Sequence, residues 1–289
     1  MTRRGLLNAG LLVLVVALGI GVWLSPGSRD TRDRLTSIAP ADARRIEIRF
    51  PSDSDKPTLD LERKPDGWHL VKPIARDARD GRLVTALAIL GARTKSCYDT
   101  AGRDPAKFGL GQPRMELDVN GTTLAFGDRS ADGRRYVRNG DRFCLVQDRA
   151  YPLLAEGLDG LASRALLRPG ATPVRIETPA AAIERQDAAS PWSFERGKGD
   201  AGRWADRWRG ARAGSFELHP PDADRGTVRV RTSDGEERTW RIAGSSPDLV
   251  LVPAGAHYGM TVPAARGDNL IEPPPVAQEQ PTTGSATTD

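Results

Sequence analysis

Gly5 to Leu24, GLLNAGLLVLVVALGIGVWL, runs for about twenty residues with no charge and one strongly polar side chain, Asn8. A stretch of that length crosses a hydrocarbon layer about 30 Å thick as a helix. Arg3 and Arg4 precede it, and no lysine or arginine follows before Arg29. The bias of positive charge toward the cytoplasmic side therefore predicts residues 1–4 in the cytoplasm. Residues 5–24 become a single-pass transmembrane anchor in the inner membrane, and the rest of the chain lies in the periplasm. Trp23 stands at the outer end, where amphipathic aromatics favour the interface, and Ser25-Pro26-Gly27 ends the helix. The rival reading is a cleaved signal peptide. It lacks an A-x-A site, because VWLSPGS puts bulky residues and a proline where small ones are needed. Both readings export everything that follows.

Export changes what two cysteines mean. Cys97 and Cys144 are the whole complement, and an even pair in an oxidising compartment invites a disulfide. The loop would enclose about 46 residues, worth roughly 3–4 kcal/mol in the chain-entropy picture. The alternative is two unrelated buried thiols. No C-x-x-C occurs, so thiol-redox and zinc roles are not indicated.

Beyond the apolar run, 25–42 reads as a polar tether. ARRIEIRF then alternates Ile46, Ile48 and Phe50 with Arg45, Glu47 and Arg49, which is the period of a half-buried strand. TLDLERK repeats the pattern. After a Pro65-Asp66-Gly67 turn, Trp68 and Leu70 share one face of a third strand. Asp77 is placed to cap a helix, with Asp80 as the reciprocal acid. Leu83, Ala86, Leu87 and Leu90 give that helix its apolar stripe. Strands around Met115–Val119 and Leu124–Phe126 flank an Asn120-Gly121 turn. RRYVRNGDRFCLV is a further hairpin, and Ala150 to Leu167 is helical in part.

From Pro173 the same order starts again. PVRIETP resembles ARRIEIRF, and Trp192 in SPWSFERG follows a turn as Trp68 does. DAGRWADRWRGAR is a helix opened by Asp200. TVRVRTSDGEERTWRI is a hairpin, and DLVLVPA matches RFCLVQD. The fold expected is α+β: a transmembrane helix, then two related lobes of mostly antiparallel sheet, 43–168 and 173–264, each with a packed helix. Trp68 and Trp192 are the expected packing anchors of the two lobes. Residues 265–289, rich in Pro, Thr and Gln from Asp268 on, are expected to be disordered.

Chemistry is harder to find. The net charge of +4 falls to +2 once Arg3 and Arg4 are set aside, and arginines and aspartates interleave along the chain. A nucleic-acid binder would concentrate its basic charge, so no nucleic-acid partner is expected. G-x-S-x-G, H-E-x-x-H, the P-loop and the Rossmann glycines are all missing. His69, His219 and His257 are scattered, which argues against a metal site. A serine–histidine–aspartate site is recognised by geometry rather than order, so an envelope hydrolase acting on glycan or lipid stands as an alternative. No catalytic, cofactor or metal residues are assigned. The nearest thing to a binding motif is GRWADRWRGAR. Trp204 and Trp208 lie one turn apart on one face, among Arg203, Arg207, Arg209 and Arg212. They make either an aromatic–basic patch for an anionic polymer, lipid head groups or a partner protein, or two indoles covering a sheet. Asn120-Gly121-Thr122 fits a glycosylation sequon, although a hairpin turn accounts for it.

LERKPDGWHLVKPIARDARDGRLVTALAILGAR, FGLGQPRMELDV, LAFGDRSADGRRYVRNGDRFCLV and ASRALL together resemble the family called domain of unknown function 4340. The family's Gly-Trp strand falls on Gly67, Trp68, Leu70 and Pro73, and its acidic helix on Ala75 to Leu90 with Asp77. Its Gly-Leu segment falls on Phe108, Gly109, Leu110 and Pro113. Its Tyr-Val-Arg stretch falls on Phe126, Gly127, Tyr136, Val137 and Arg138, and its basic terminus on Ser163 to Leu167. The resemblance covers roughly Leu35 to Leu167. It implies a membrane-tethered exported protein, associated in some members with auxiliary components of ABC-type transport systems of the gliding-motility kind, and it implies no catalytic residues. The function expected is a non-enzymatic periplasmic accessory or scaffold protein with membrane-protein partners.

Overall fold

The computed structural model describes residues 34–276. The expected cytoplasmic stub and the anchor at 5–24 lie outside the described residues, as do 25–33 of the tether and 277–289 of the tail. Among the described residues no helix is long and apolar enough to cross a membrane.

The described chain is α+β, built on two antiparallel sheets with few helices. The strands of the first are β1 (Arg45–Arg49), β2 (Leu59–Lys64), β3 (Gly67–Lys72), β4 (Arg76–Asp77), β5 (Cys97–Asp99), β6 (Met115–Val119), β7 (Thr122–Arg129), β8 (Arg134–Asn139) and β9 (Arg142–Gln147). Their order is β4-β3-β2-β1-β6-β7-β8-β9-β5. Helix α1 (Asp80–Leu87) separates β4 from β5, and α2 (Ala150–Leu154) and α3 (Leu158–Leu161) follow β9. The second sheet takes β10 (Pro173–Glu177), β11 (Ala182–Glu184), β12 (Ser193–Arg196), β13 (Ser215–Glu217), β14 (Thr227–Thr232), β15 (Glu237–Gly244), β16 (Leu249–Pro253) and β17 (Gly259–Val262). Its order is β12-β11-β10-β14-β15-β16-β17-β13. Helix α4 (Ala201–Gly210) precedes β13, and α5 (Ala264–Ile271) follows β17.

The two strand orders are the same. Setting β1, β2 and β3 against β10, β11 and β12, β5 against β13, and β6 to β9 against β14 to β17 makes one list into the other, with β4 as an addition to the first. In each case a helix stands between the third strand of the meander and the edge strand that pairs last. This corrects one equivalence. DLVLVPA forms β16, whose counterpart is β8 rather than the RFCLVQD strand β9. Both segments are apolar runs, and only position in the sheet separates them.

By contact density the chain divides into two compact units, which interleave along the sequence. Among the described residues, one holds those up to Arg44, Phe50–Asp53 and Val84–Pro152; the other holds Arg45–Arg49, Ser54–Leu83 and those from Leu153 to Val276.

Local chemistry explains most elements. Ile46, Ile48, Leu59, Leu61, Trp68 and Leu70 are buried at every second position, as the pleat requires. Lys64 pairs with Gly67 across a two-residue Pro65-Asp66 turn, and Gly67 has φ 134°, which only glycine adopts without strain. At the next hairpin Asn120 and Gly121 take φ 52° and 87°, the two positive values of a type I′ turn. The Asn120 amide accepts from the Arg44 N–H and donates to the Asp42 carbonyl, both at 2.9 Å. The sequon asparagine thus ties the incoming chain to the turn. Asp77 does not cap α1. It lies in β4, paired with His69, and the helix begins at Asp80, whose carboxylate accepts the Trp68 backbone N–H at 2.9 Å. Asp200 does cap α4, accepting from the Arg203 N–H at 2.9 Å.

Two expected irregular segments are partly built. From Arg34 the tether is already docked on the first unit: Arg34 forms a β-bridge with Arg93, Leu35 is buried, and the Thr36 hydroxyl donates to the Leu90 carbonyl at 2.8 Å. At the other end, 264–271 is helical rather than disordered. Its Leu270 is buried, and burial outweighs the polar composition that marks the rest of the tail.

Candidate functional site

The expected interaction patch on α4 turns inward. Trp204 and Trp208 are both fully buried, and the Trp208 ring lies 5.9 Å from that of Trp240. Their Nε1–H groups converge on one atom, donating to the Leu270 carbonyl at 3.0 and 2.9 Å. Leu270 is one residue from the end of α5, where its carbonyl would look for an N–H three or four residues on. Those residues are Pro273 and Pro274, which have none. The indoles supply what the prolines cannot. The next orphan carbonyl, that of Ile271, accepts from the Thr178 hydroxyl at 2.7 Å.

The arginines around the indoles are separated from them and in part neutralised. Arg203 is 3.6 Å from Asp200, and Arg209 is 2.7 Å from Asp206. Arg212 lies beyond the helix in a β-bridge with Ala165. An aromatic–basic surface through Trp204 and Trp208 is therefore corrected to a buried helix cap with charged residues on the opposite face.

The two anchor tryptophans also part company. Trp68 is 3% exposed, on the buried face of β3. Trp192 precedes β12 and is only half-buried, with the Arg185 guanidinium 4.5 Å from its ring. It is a stacked edge residue and not a core anchor, because β12 ends the second sheet and buries none of its residues.

Cys97 and Cys144 are bonded, with Cα atoms 4.1 Å apart, and they face each other across β5 and β9. The neighbouring pair, Tyr98 and Phe143, stacks at 5.4 Å. The corresponding pairs in the second sheet are Ser215 with Thr261 and Phe216 with Met260. That edge is held by polar chemistry instead: the Thr261 hydroxyl donates to Glu217 at 2.6 Å.

Of the histidines, His69 is held between Asp66 at 2.9 Å and Asp77 at 3.2 Å. No ion pair joins His219 or His257 to a carboxylate among the described residues, where no His, Cys, Asp and Glu cluster could hold a metal.

Sequence reasoning passed over the arginines of the second unit. Arg76 in β4 donates through Nε to the Ser163 carbonyl at 2.5 Å, through Nη1 to the Tyr258 hydroxyl at 3.2 Å, and through Nη2 to the Ala165 carbonyl. It lines a polar cleft of about 320 Å³ with Asp77, Arg168, Glu237, Arg238 and Tyr258. Arg168 and Arg238 in turn hold Glu236 at 3.5 and 2.8 Å. Close by in sequence, Arg79 is pushed below its ordinary pKa by burial and then by the charges of Arg82 and Arg164. Arg82 pairs with Glu156, while Arg79 and Arg164 reach the Gly160 and Asp159 carbonyls at 3.3 and 2.9 Å. Arg76, Arg79 and Arg164 are interlocked with backbone carbonyls, as Arg's fixed fork of donors allows. The RALL segment of the resemblance carries one of them, Arg164, but spacing alone does not reveal the loop carbonyls that meet it.

No protein-family model, curated protein or solved structure matches the chain.

Proposed function

We propose that this chain is a non-enzymatic accessory or scaffold protein, anchored in the inner membrane by residues 5–24 with its body in the periplasm. It works within a multi-protein ABC-type transport or envelope complex, the association implied by the resemblance over Leu35–Leu167. The observation that carries the reading is the use made of the side chains best suited to chemistry. The indoles of Trp204 and Trp208 cap a helix. His69 is held between two aspartates, and Arg76 is bonded to two loop carbonyls and a tyrosine. Arg135 is buried in a fork with Asp148 at 2.8 and 2.9 Å. Each of these serves to hold the body in shape, as a rigid platform for partners requires. The Cys97–Cys144 bond suits an exported body. The shared strand order supports reading the two sheets as descendants of one duplicated unit.

The test is complementation of a strain lacking the protein, with crosslinked pull-down from its membranes. A His69→Ala, His219→Ala, His257→Ala triple variant restores wild-type growth or transport and captures the same membrane proteins as wild type. A folded triple variant that captures them but fails to complement would overturn the scaffold reading in favour of an envelope hydrolase.

A further inference from the structure

A groove of about 590 Å³ opens on the first unit between α1 and the start of α2. Its floor is apolar, formed by Ala88, Ile89, Ala92 and Ala150. Its walls carry Arg93, Lys95, Arg134 and Arg149, and no carboxylate is among the lining residues. Arg34 joins this rim through its β-bridge with Arg93. One acid answers the cations from nearby: Asp132 lies 3.0 Å from Lys95 and 3.2 Å from Arg134. Hydrogen bonds from Ser130 and then Lys95 hold that carboxyl well below the usual range, so it stays ionised and offsets part of their charge. Among the described residues, no carboxylate pairs with Arg34, Arg93 or Arg149. Val84, 56% exposed, stands on α1 one turn before Ala88.

We propose that this groove docks on the anionic phospholipid head groups of the membrane that residues 5–24 enter; the inference rests on the anchor reading above. Two observations select a lipid surface over a soluble polymer. Arg34 is bridged to Arg93 of the rim, and residues 25–33 separate it from the apolar run. Nine residues span at most about 30 Å fully extended. The tether therefore keeps this rim close to the bilayer, where docking is intramolecular and the effective concentration high. The surface is also amphipathic. Cations surround an apolar floor with an exposed valine, which suits the boundary between head groups and acyl chains. Attraction of this kind acts over about a Debye length, roughly 8–10 Å at physiological salt. Each basic residue brought to an anionic surface favours the docked state about fivefold.

The test uses the full chain carrying a fluorophore on Val84→Cys, reconstituted into vesicles whose head groups bear a nitroxide quencher. One set is phosphatidylcholine alone, and the other contains added phosphatidylglycerol. Quenching is expected to be strong only with phosphatidylglycerol and to fall as salt is raised. Arg93→Ala with Arg149→Ala should lower the ratio of docked to free body about 25-fold. An Arg93→Lys, Arg149→Lys variant, which keeps the charge, should retain most of it. Equal quenching on the two vesicle types, or no loss in the double alanine variant, overturns the docking while leaving the anchor intact. A chain that alkaline carbonate strips from the vesicles overturns the anchor, and the docking with it.

Discussion

Trp204 and Trp208 share one acceptor, and that sharing has a measurable signature. Replacing either with phenylalanine removes one N–H donor and a little ring volume, while the Leu270 carbonyl keeps its other indole. Each single change should therefore cost about 1–2 kcal/mol: a net hydrogen bond of about 1 kcal/mol and a small packing loss. The double change is different in kind. It leaves a buried carbonyl that Pro273 and Pro274 cannot serve, and an orphaned buried acceptor costs a further 1–3 kcal/mol or so. The double variant should then exceed the sum of the singles by about that amount. Urea unfolding of the four chains in mild detergent, followed by far-ultraviolet circular dichroism, gives the cycle. Hydrogen exchange of the α4 amides gives the same quantity locally. Additivity within about 0.5 kcal/mol would refute the reasoning, because it would mean that the carbonyl finds another donor or that neither indole bonds it in solution.

Three further outcomes follow from the packing. Cys97→Ser with Cys144→Ser opens a loop with a sequence separation of 47 and should lower stability by about 4 kcal/mol in the chain-entropy model; thiol labelling of the unfolded, unreduced wild type should find no free cysteine. Trp68→Ala should cost about 3–5 kcal/mol as a core deletion, whereas Trp192→Ala should cost about 1–2 kcal/mol, for a half-buried ring and one cation–π contact, and comparable melting shifts would contradict the difference in burial. Gly127→Ala should cost about 1–3 kcal/mol as a small-to-large change, since the added methyl would run into the Phe108 carbonyl oxygen and lie 2.9 Å from the Leu110 side chain; an unchanged urea midpoint would show that the Phe108 segment yields.

The meander of β1 to β3 was legible because its apolar residues alternate cleanly, from Ile46 to Leu70. So were the hairpin turns around Gly67, Asn120-Gly121 and Gly235, where these residues take positive φ that glycine, and at Asn120 asparagine, supplies without strain. The inward face of α4 was readable as one of two choices, since i, i+4 tryptophans serve a core as well as a ligand. The choice needed Leu270, which lies 62 residues beyond Trp208 in a segment whose composition pointed to disorder. Arg34–Asp42 carries no period, so its docking through Leu35 and Thr36 left no trace in pattern. Trp192 misled because a matching place in the order of elements does not guarantee burial; β12 ends its sheet, and β3 has β4 beyond it. The basic groove was invisible for a simpler reason. Arg34, Arg93, Arg134 and Arg149 are spread over more than a hundred residues, three of them beside or close to an aspartate, and only the fold gathers them.

The indole-capped helix also sets where the chain tolerates being cut. Asp200, the cap of α4, donates its own N–H to the Pro274 carbonyl at 2.8 Å, so the proline run is part of the same joint. Ending the polypeptide after Val276 would leave that joint whole, and a tag or reporter attached there would hang from a closed body. Ending it before Leu270 would strip two buried tryptophans of their shared acceptor and remove the lid from α4. A protease that has trimmed as far as the three prolines should therefore slow there, because that segment is held in the joint.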